Sequence, residues 1–216
     1  MNIEQARFNM VEQQIRPCEI FNEKLLELLI SVKRENFVPN IYKDVAFSDV
    51  EIPLPGGHKM LLPRIIAKLI QELELKATDK VLEIATGSGY ATALLAKMSE
   101  FVYSIEISKI NMQLAINNLT TASINNVSII NADGTLGLSD KAPFDKIFVG
   151  GAFTQIPDNL KQQLKVGGML VGFKGVGTVM HAVKVVRVNQ SNYLETNLFE
   201  TSIEYLDNVQ TQEFKF

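Results

Sequence analysis

Four short runs, KVLEIA, FVYSIE, VSIIN and KIFVGGA, are almost wholly apolar and rich in Val, Ile and Phe. Stretches that read as helix (90–98, 109–122 and 157–164) lie between and after them. Apolar strands of this length alternating with helices form a parallel sheet covered on both faces, because each crossover lays a helix on the sheet. GGMLVGF adds a fifth strand. The β-rich runs near 179–188 and 193–200, joined by the turn signal NQSN, add an antiparallel hairpin. The predicted fold is therefore α/β, a doubly wound and mostly parallel seven-stranded sheet.

At 216 residues the chain has room for one such sheet and an extension. We divide it into a helical extension and lid loop over 1–62 and one compact sheet unit over 63–216. In the extension, Pro17 breaks a first helix, after which Phe21, Leu25, Leu28, Leu29 and Val32 share one face of a second. Pro53, Pro55, Gly56 and Gly57 make residues 50–62 read as a loop, long enough to be a lid. Pro63 suits the first position of a helix striped by Ile65, Ile66, Leu69, Ile70 and Leu73.

Charge and cysteine content narrow the function. Lys and Arg number 21 against 24 Asp and Glu, a net charge of −3 that offers no broad basic face for nucleic acid. One cysteine and two histidines cannot build a structural zinc site, so metal-free chemistry in a reducing compartment, the cytoplasm, is expected. The amino terminus lacks the apolar stretch of a secretory signal. The apolar region from Val166 to Val188 carries Lys174, Lys184 and five glycines, which suits core strands and not a bilayer.

Ligands of doubly wound sheets lie beyond the carboxyl ends of the strands, where strand order reverses. The first strand runs into VLEIATGSGYA, a glycine-rich turn opening a helix near Tyr90. The second ends in Glu106, nineteen residues after Gly87, where a carboxylate can accept hydrogen bonds from both hydroxyls of a ribose. The third is followed by Asp133-Gly134. Each tip alone reads equally well as a turn or a strand end; three at one edge point to a nucleoside site. A dinucleotide fingerprint would need a third glycine where Thr92 stands, which counts against an NAD-linked oxidoreductase.

These runs, with NADG, APFDKIFVGGA, IPDNL and GGMLV, resemble the protein-L-isoaspartate O-methyltransferases of the S-adenosylmethionine-dependent superfamily. MVEQQIRP and the REN-FVP run at 34–39 resemble that family's amino-terminal extension. The resemblance implies S-adenosylmethionine as cofactor and S-adenosylhomocysteine as product. It implies that the turn from Glu83 through Ala85, Thr86 and Gly87 to Gly89 holds the methionine moiety. Glu106 would hold the ribose and Asp133 the adenine amino group, with Ile107, Gly134, Met60 and Leu61 as further cofactor contacts. The implied substrate is a peptide or protein bearing a carboxylate, such as an isoaspartyl residue, and the chain is expected to be a monomer with no nucleic-acid or membrane partner.

Two positions depart from the family pattern. Where the family's loop reads G-Q-T-I-S-Q-P, this chain has Gly57 to Pro63 as GHKMLLP, and Leu61 replaces the serine thought to orient the substrate carboxylate. Ala85 replaces the first glycine of the turn. A non-catalytic homologue that binds the cofactor and has lost the acceptor site is the alternative these departures support. A carboxylate is already ionised at pH 7 and needs no general base, so the lack of a Ser-His-Asp or Cys-His arrangement fits methyl transfer. His58 reads as surface or lid packing, His181 as a strand-edge residue, Cys18 as an ordinary loop or buried thiol, and Asp145 as a structural residue at the start of its strand.

Overall fold

A computed structural model describes residues 2–209. Its main sheet has seven strands in the order β5-β4-β3-β6-β7-β8-β9. β3 (Lys80–Ile84), β4 (Phe101–Glu106), β5 (Val127–Asn131), β6 (Phe144–Phe153) and β7 (Leu164–Val176) pair in parallel. β8 (Val179–Arg187) and β9 (Tyr193–Thr201) complete it antiparallel. The chain lays β3, β4 and β5 outward to one side and then returns to put β6 on the other side of β3. The strand order therefore reverses between β3 and β6, and the expected doubly wound sheet with its terminal hairpin is present.

Alternation along the strands divides the core in two. Val81, Val102, Phe148, Val171 and Ala182 join one apolar cluster, while Leu82, Ile105, Ile147, Val149, Leu170 and Val183 join the other. The first cluster also takes in Met10, Ile15, Leu25, Leu29 and Phe37, so the amino-terminal helices share a core with the sheet. α3 (Pro63–Glu72) begins with Pro63 as expected; α4 (Tyr90–Met98) and α5 (Lys109–Thr121) occupy their predicted stretches, and α6 (Asp158–Gln162) is shorter than the helix expected over 157–164. Val166–Val188 is β7 and β8, and among the described residues no helix is long and apolar enough to cross a membrane.

Three expectations need correction. Phe21 is not part of the helical stripe but 78% exposed, because Asn22 caps α2 (Glu23–Ser31) by accepting from the Leu25 N–H and so starts the helix after it. Leu25, Leu26 and Leu29 make the buried face instead. Residues 50–62 are not a plain loop: β1 (Ile52–Pro53) pairs with β2 (Lys59–Met60) as a small hairpin. Its prolines and glycines make the turn, with Gly57 at φ +95° and the Leu54 N–H donating to the His58 carbonyl at 2.6 Å. His181 lies within β8, between Lys174 and Glu200 on its neighbours, and so not at a sheet edge. α1 (Ile3–Asn9) runs on through a π-helical turn to Ile15 before Pro17 ends it.

Candidate functional site

The carboxyl ends of β3, β4 and β5 stand side by side, with Ile84 paired to Ile105 and Glu106 to Asn131. Above them opens a cleft, partly open to solvent, that spans all three strand tips. Its floor is the turn after β3, where Ala85, Gly87 and Gly89 take φ of +71°, +58° and +83°. The Ala85 N–H donates to the Ile105 carbonyl at 2.9 Å, fixing the turn to β4. Gly150 backs it so closely that a Cβ there would lie 3.1 Å from the Ala85 carbonyl oxygen.

Ala85 is the strained member of this turn, since a left-handed conformation costs a residue with a Cβ about 1–2 kcal/mol. Ala85→Gly relieves that strain and loses part of the gain to the more flexible unfolded chain. We expect a net stabilisation of about 0.5–1 kcal/mol, or a melting temperature raised by about 2 °C. Differential scanning calorimetry that found the variant less stable would show that the turn is relaxed around alanine.

Glu106 is 3% exposed, its oxygens accepting from the Gly87 N–H at 2.8 Å and the Ser108 N–H at 2.9 Å. Burial pushes its pKa up, and the two backbone donors offset part of the rise. A carboxylate so held presents its remaining lone pairs in a fixed direction, which is what a vicinal diol needs. At the next tip, burial raises the Asp133 pKa, but hydrogen bonds from the Thr135 hydroxyl and N–H and from Asn208 outweigh it and hold the carboxyl below its ordinary value. The Asn208 amide Nδ2 donates to Asp133 at 3.0 Å, the kind of N–H an adenine amino group would offer.

Met60, Leu61, Ala85, Thr86, Gly87, Glu106, Ile107, Asp133 and Gly134, named from the sequence as cofactor-binding candidates, all line the cleft. Glu83 and Gly89 do not. The Glu83 side chain is fully buried beneath the turn, where one oxygen accepts from the Thr92 and Ser104 hydroxyls, each at 2.6 Å. Thr86 in turn meets Ser104 at 2.5 Å, so these hydroxyls brace the turn from below. Glu83 points away because side chains alternate along a strand, and its pKa is pushed up to about 7 by burial. Gly89 turns into α4, its Cα side packed against Leu119 and Ala115. Thr92, which stands where a dinucleotide site would carry glycine, is thus the bracing partner of Glu83.

The amino-terminal helices reach this site through Tyr90, which lines the cleft and opens α4. Phe37 packs edge-on against its ring at 5.6 Å, and the fully buried Arg34 guanidinium lies 5.3 Å from the ring centroid. The REN-FVP run therefore supports the glycine turn from behind. Asp145 is structural: it accepts from the Lys80 N–H and from Lys165 at the base of the sheet. The Cys18 thiol donates to the Gln14 carbonyl.

Other lining residues were not anticipated. The Asn111 Oδ1 accepts from the Gly56 N–H at 2.9 Å and ties the hairpin tip to α5. The segment after β9 forms a wall, with Ala152 of β6 bridging to Tyr205 and His58 reaching Asp207 at 3.1 Å. Gly150-Gly151 at the end of KIFVGGA was a visible signal for close approach, since a Cβ on Gly151 would meet Leu206 at 2.6 Å. The segment itself carries no motif.

A parallel sheet with a glycine turn at its first tip, a buried carboxylate at the second and a hydrogen-bonded aspartate at the third, all on one cleft, is the arrangement of an S-adenosylmethionine-dependent methyltransferase. Residues 5–211 match the family model for protein-L-isoaspartate(D-aspartate) O-methyltransferase, and the chain belongs to that family. It is 37% identical over 193 residues to the protein-L-isoaspartate O-methyltransferase of Petrotoga mobilis, covering 89% of this chain and 91% of that one. It is 40% identical over 171 residues to protein-L-isoaspartate O-methyltransferase 1 of Syntrophobacter fumaroxidans, 79% and 80% of the two chains. A Plasmodium falciparum protein assigned to the same activity, crystallised with S-adenosyl-L-homocysteine, superposes with a TM-score of 0.79 at 20% identity over 93% of this chain and 98% of that one, a likeness of fold. The family's enzymes are S-adenosylmethionine-dependent O-methyltransferases.

Proposed function

We propose that this protein methylates a side-chain carboxylate of a peptide or protein substrate, with the isoaspartyl carboxylate of damaged proteins as the acceptor. The observation that carries the reading is a single cleft running from the cofactor tips, Glu106 and Asp133, to the Lys59–Leu61 segment. When bound, S-adenosylmethionine supplies an electrophilic methyl group on a sulfonium. Glu106 and Asp133 anchor the nucleoside, and the Ala85–Gly87 backbone receives the methionine moiety. Leu61 and Ile203, both nearly buried, exclude water from the end where the acceptor enters.

The acceptor carboxylate is ionised at neutral pH and needs no base, so positioning dominates; aligning two reactants accounts for roughly 7–11 kcal/mol of a barrier. In this reading residues 1–62 are roof and lid and residues 63–216 the catalytic unit, working as a monomer in the cytoplasm without nucleic-acid or membrane partners. Transfer of a tritiated methyl group to an isoaspartyl peptide, and none to the same peptide with ordinary aspartate, is the expected result. Tight binding of S-adenosylhomocysteine without transfer to either peptide would instead mark a cofactor-binding homologue that has lost its acceptor site.

A further inference from the structure

We propose that Lys59 receives the acceptor's carboxylate and that Glu204 occupies this place until the acceptor arrives. The inference rests on the carboxylate-methylating reading above. Five carboxylates line the cleft (Glu51, Glu106, Asp133, Glu204 and Asp207), and among its described lining residues Lys59 is the one lysine or arginine. An anionic acceptor entering such surroundings is repelled unless it meets a fixed cation. The side chain of Leu61, two residues along the same segment, offers no donor.

The Lys59 ammonium lies 2.8 Å from Glu204 and 3.2 Å from Glu51, and these hydrogen bonds keep it protonated. The two partners differ in how firmly they are placed. Glu51 adjoins β1 in the same hairpin as Lys59 and holds the ammonium over the cleft. Glu204 comes from the far wall. Its backbone is fixed, because its carbonyl accepts from the Ala152 N–H at 2.9 Å and Leu206 N–H returns to the Ala152 carbonyl at 3.0 Å. Its side chain is 45% exposed and can turn to water without disturbing that wall. Glu204 thus supplies, from the chain itself, the carboxylate that the substrate must replace.

The exchange is consistent with the chemistry. One acceptor oxygen pairs with Lys59 while the other forms the new O–C bond as the S–C bond breaks. The electron pair goes to sulfur, the sulfonium becomes a neutral thioether, the carboxylate a neutral ester, and no proton moves. The ester no longer competes for the ammonium, so Glu204 regains it as product leaves.

Steady-state kinetics with the isoaspartyl peptide separates this from a simple structural tie. Lys59→Gln is expected to raise KM about tenfold or more, with Lys59→Arg recovering most of the loss. Glu204→Gln is expected to lower KM by about two- to fivefold, the range of an exposed ion pair. Affinity for S-adenosylhomocysteine, measured by calorimetry, stays unchanged in both. Shifts of KM in the same direction, as expected if breaking one strut is all that either change does, overturn the proposal, as does an unchanged KM in Lys59→Gln. If Lys59→Gln fails to fold, the sign of the Glu204→Gln shift decides alone. A native protein that does not methylate the peptide removes the functional reading and this inference with it, whereas active native protein with indifferent variants removes only the inference.

Discussion

Glu106→Ala should weaken binding of S-adenosylhomocysteine by about a hundredfold or more. In the proposed reading, two hydrogen bonds from ribose hydroxyls to an ionised carboxylate are lost, each contributing roughly 1.5–3 kcal/mol. The Gly87 and Ser108 N–H groups lose their acceptor as well, so the glycine turn and the start of α5 lose a shared fixed point. Glu106→Gln separates the two effects, since its carbonyl oxygen can serve one of the backbone donors while the charge is gone. Isothermal titration with both variants, alongside circular dichroism to verify the fold, tests this. Near-native affinity in a folded Glu106→Ala protein would mean that the ribose lies elsewhere.

The second large effect concerns pH. Folded Glu83 keeps its proton up to about pH 7, whereas in the unfolded chain it ionises near the ordinary value of 4.5. Between those values the folded state binds more protons, so raising the pH favours unfolding. From about pH 4.5 to 7 the protein should lose about 3 kcal/mol of stability from this group and then level off. Burial moves Glu106 in the same direction. Asp133 and Asp145, held below their ordinary values, act oppositely, adding stability as pH rises through the acid range below. Denaturant melts across pH 5–8 should show the decline in the native protein and a much flatter line in Glu83→Gln. Parallel curves would mean that water reaches the carboxylate.

How legible this molecule is from its residues depends on how local each signal is. β3, β4 and β6 announce themselves because a strand largely buried on both faces must be mostly apolar, and the half-buried edge strand β5 by its own short apolar run; the polar tips Glu106 and Asp133 then stand out at their ends. Glu83 belongs to the same visible motif, yet its role lies below the turn and not in the cleft. Strand alternation gives that direction only once the neighbouring Ser104 and Thr92 are known to meet it. The β1–β2 hairpin is hidden because two-residue strands flanked by prolines and glycines carry no period. The wall at 203–208 is hidden for a different reason: Glu204 meets Lys59, and Asn208 meets Asp133 across 75 residues, and no local pattern encodes such distant encounters. Phe21 shows the opposite error, a periodic position cancelled by the helix cap at Asn22.

Because Met10, Leu25 and Phe37 lie in one continuous apolar body with Val102 and Phe148, the amino-terminal helices possess no core of their own to retreat into. Stripping them away would bare the ring of Tyr90 and the apolar face of the sheet behind it. Loss of these helices is therefore expected to cost the cleft its support as well, so that roof and cleft unfold as one unit.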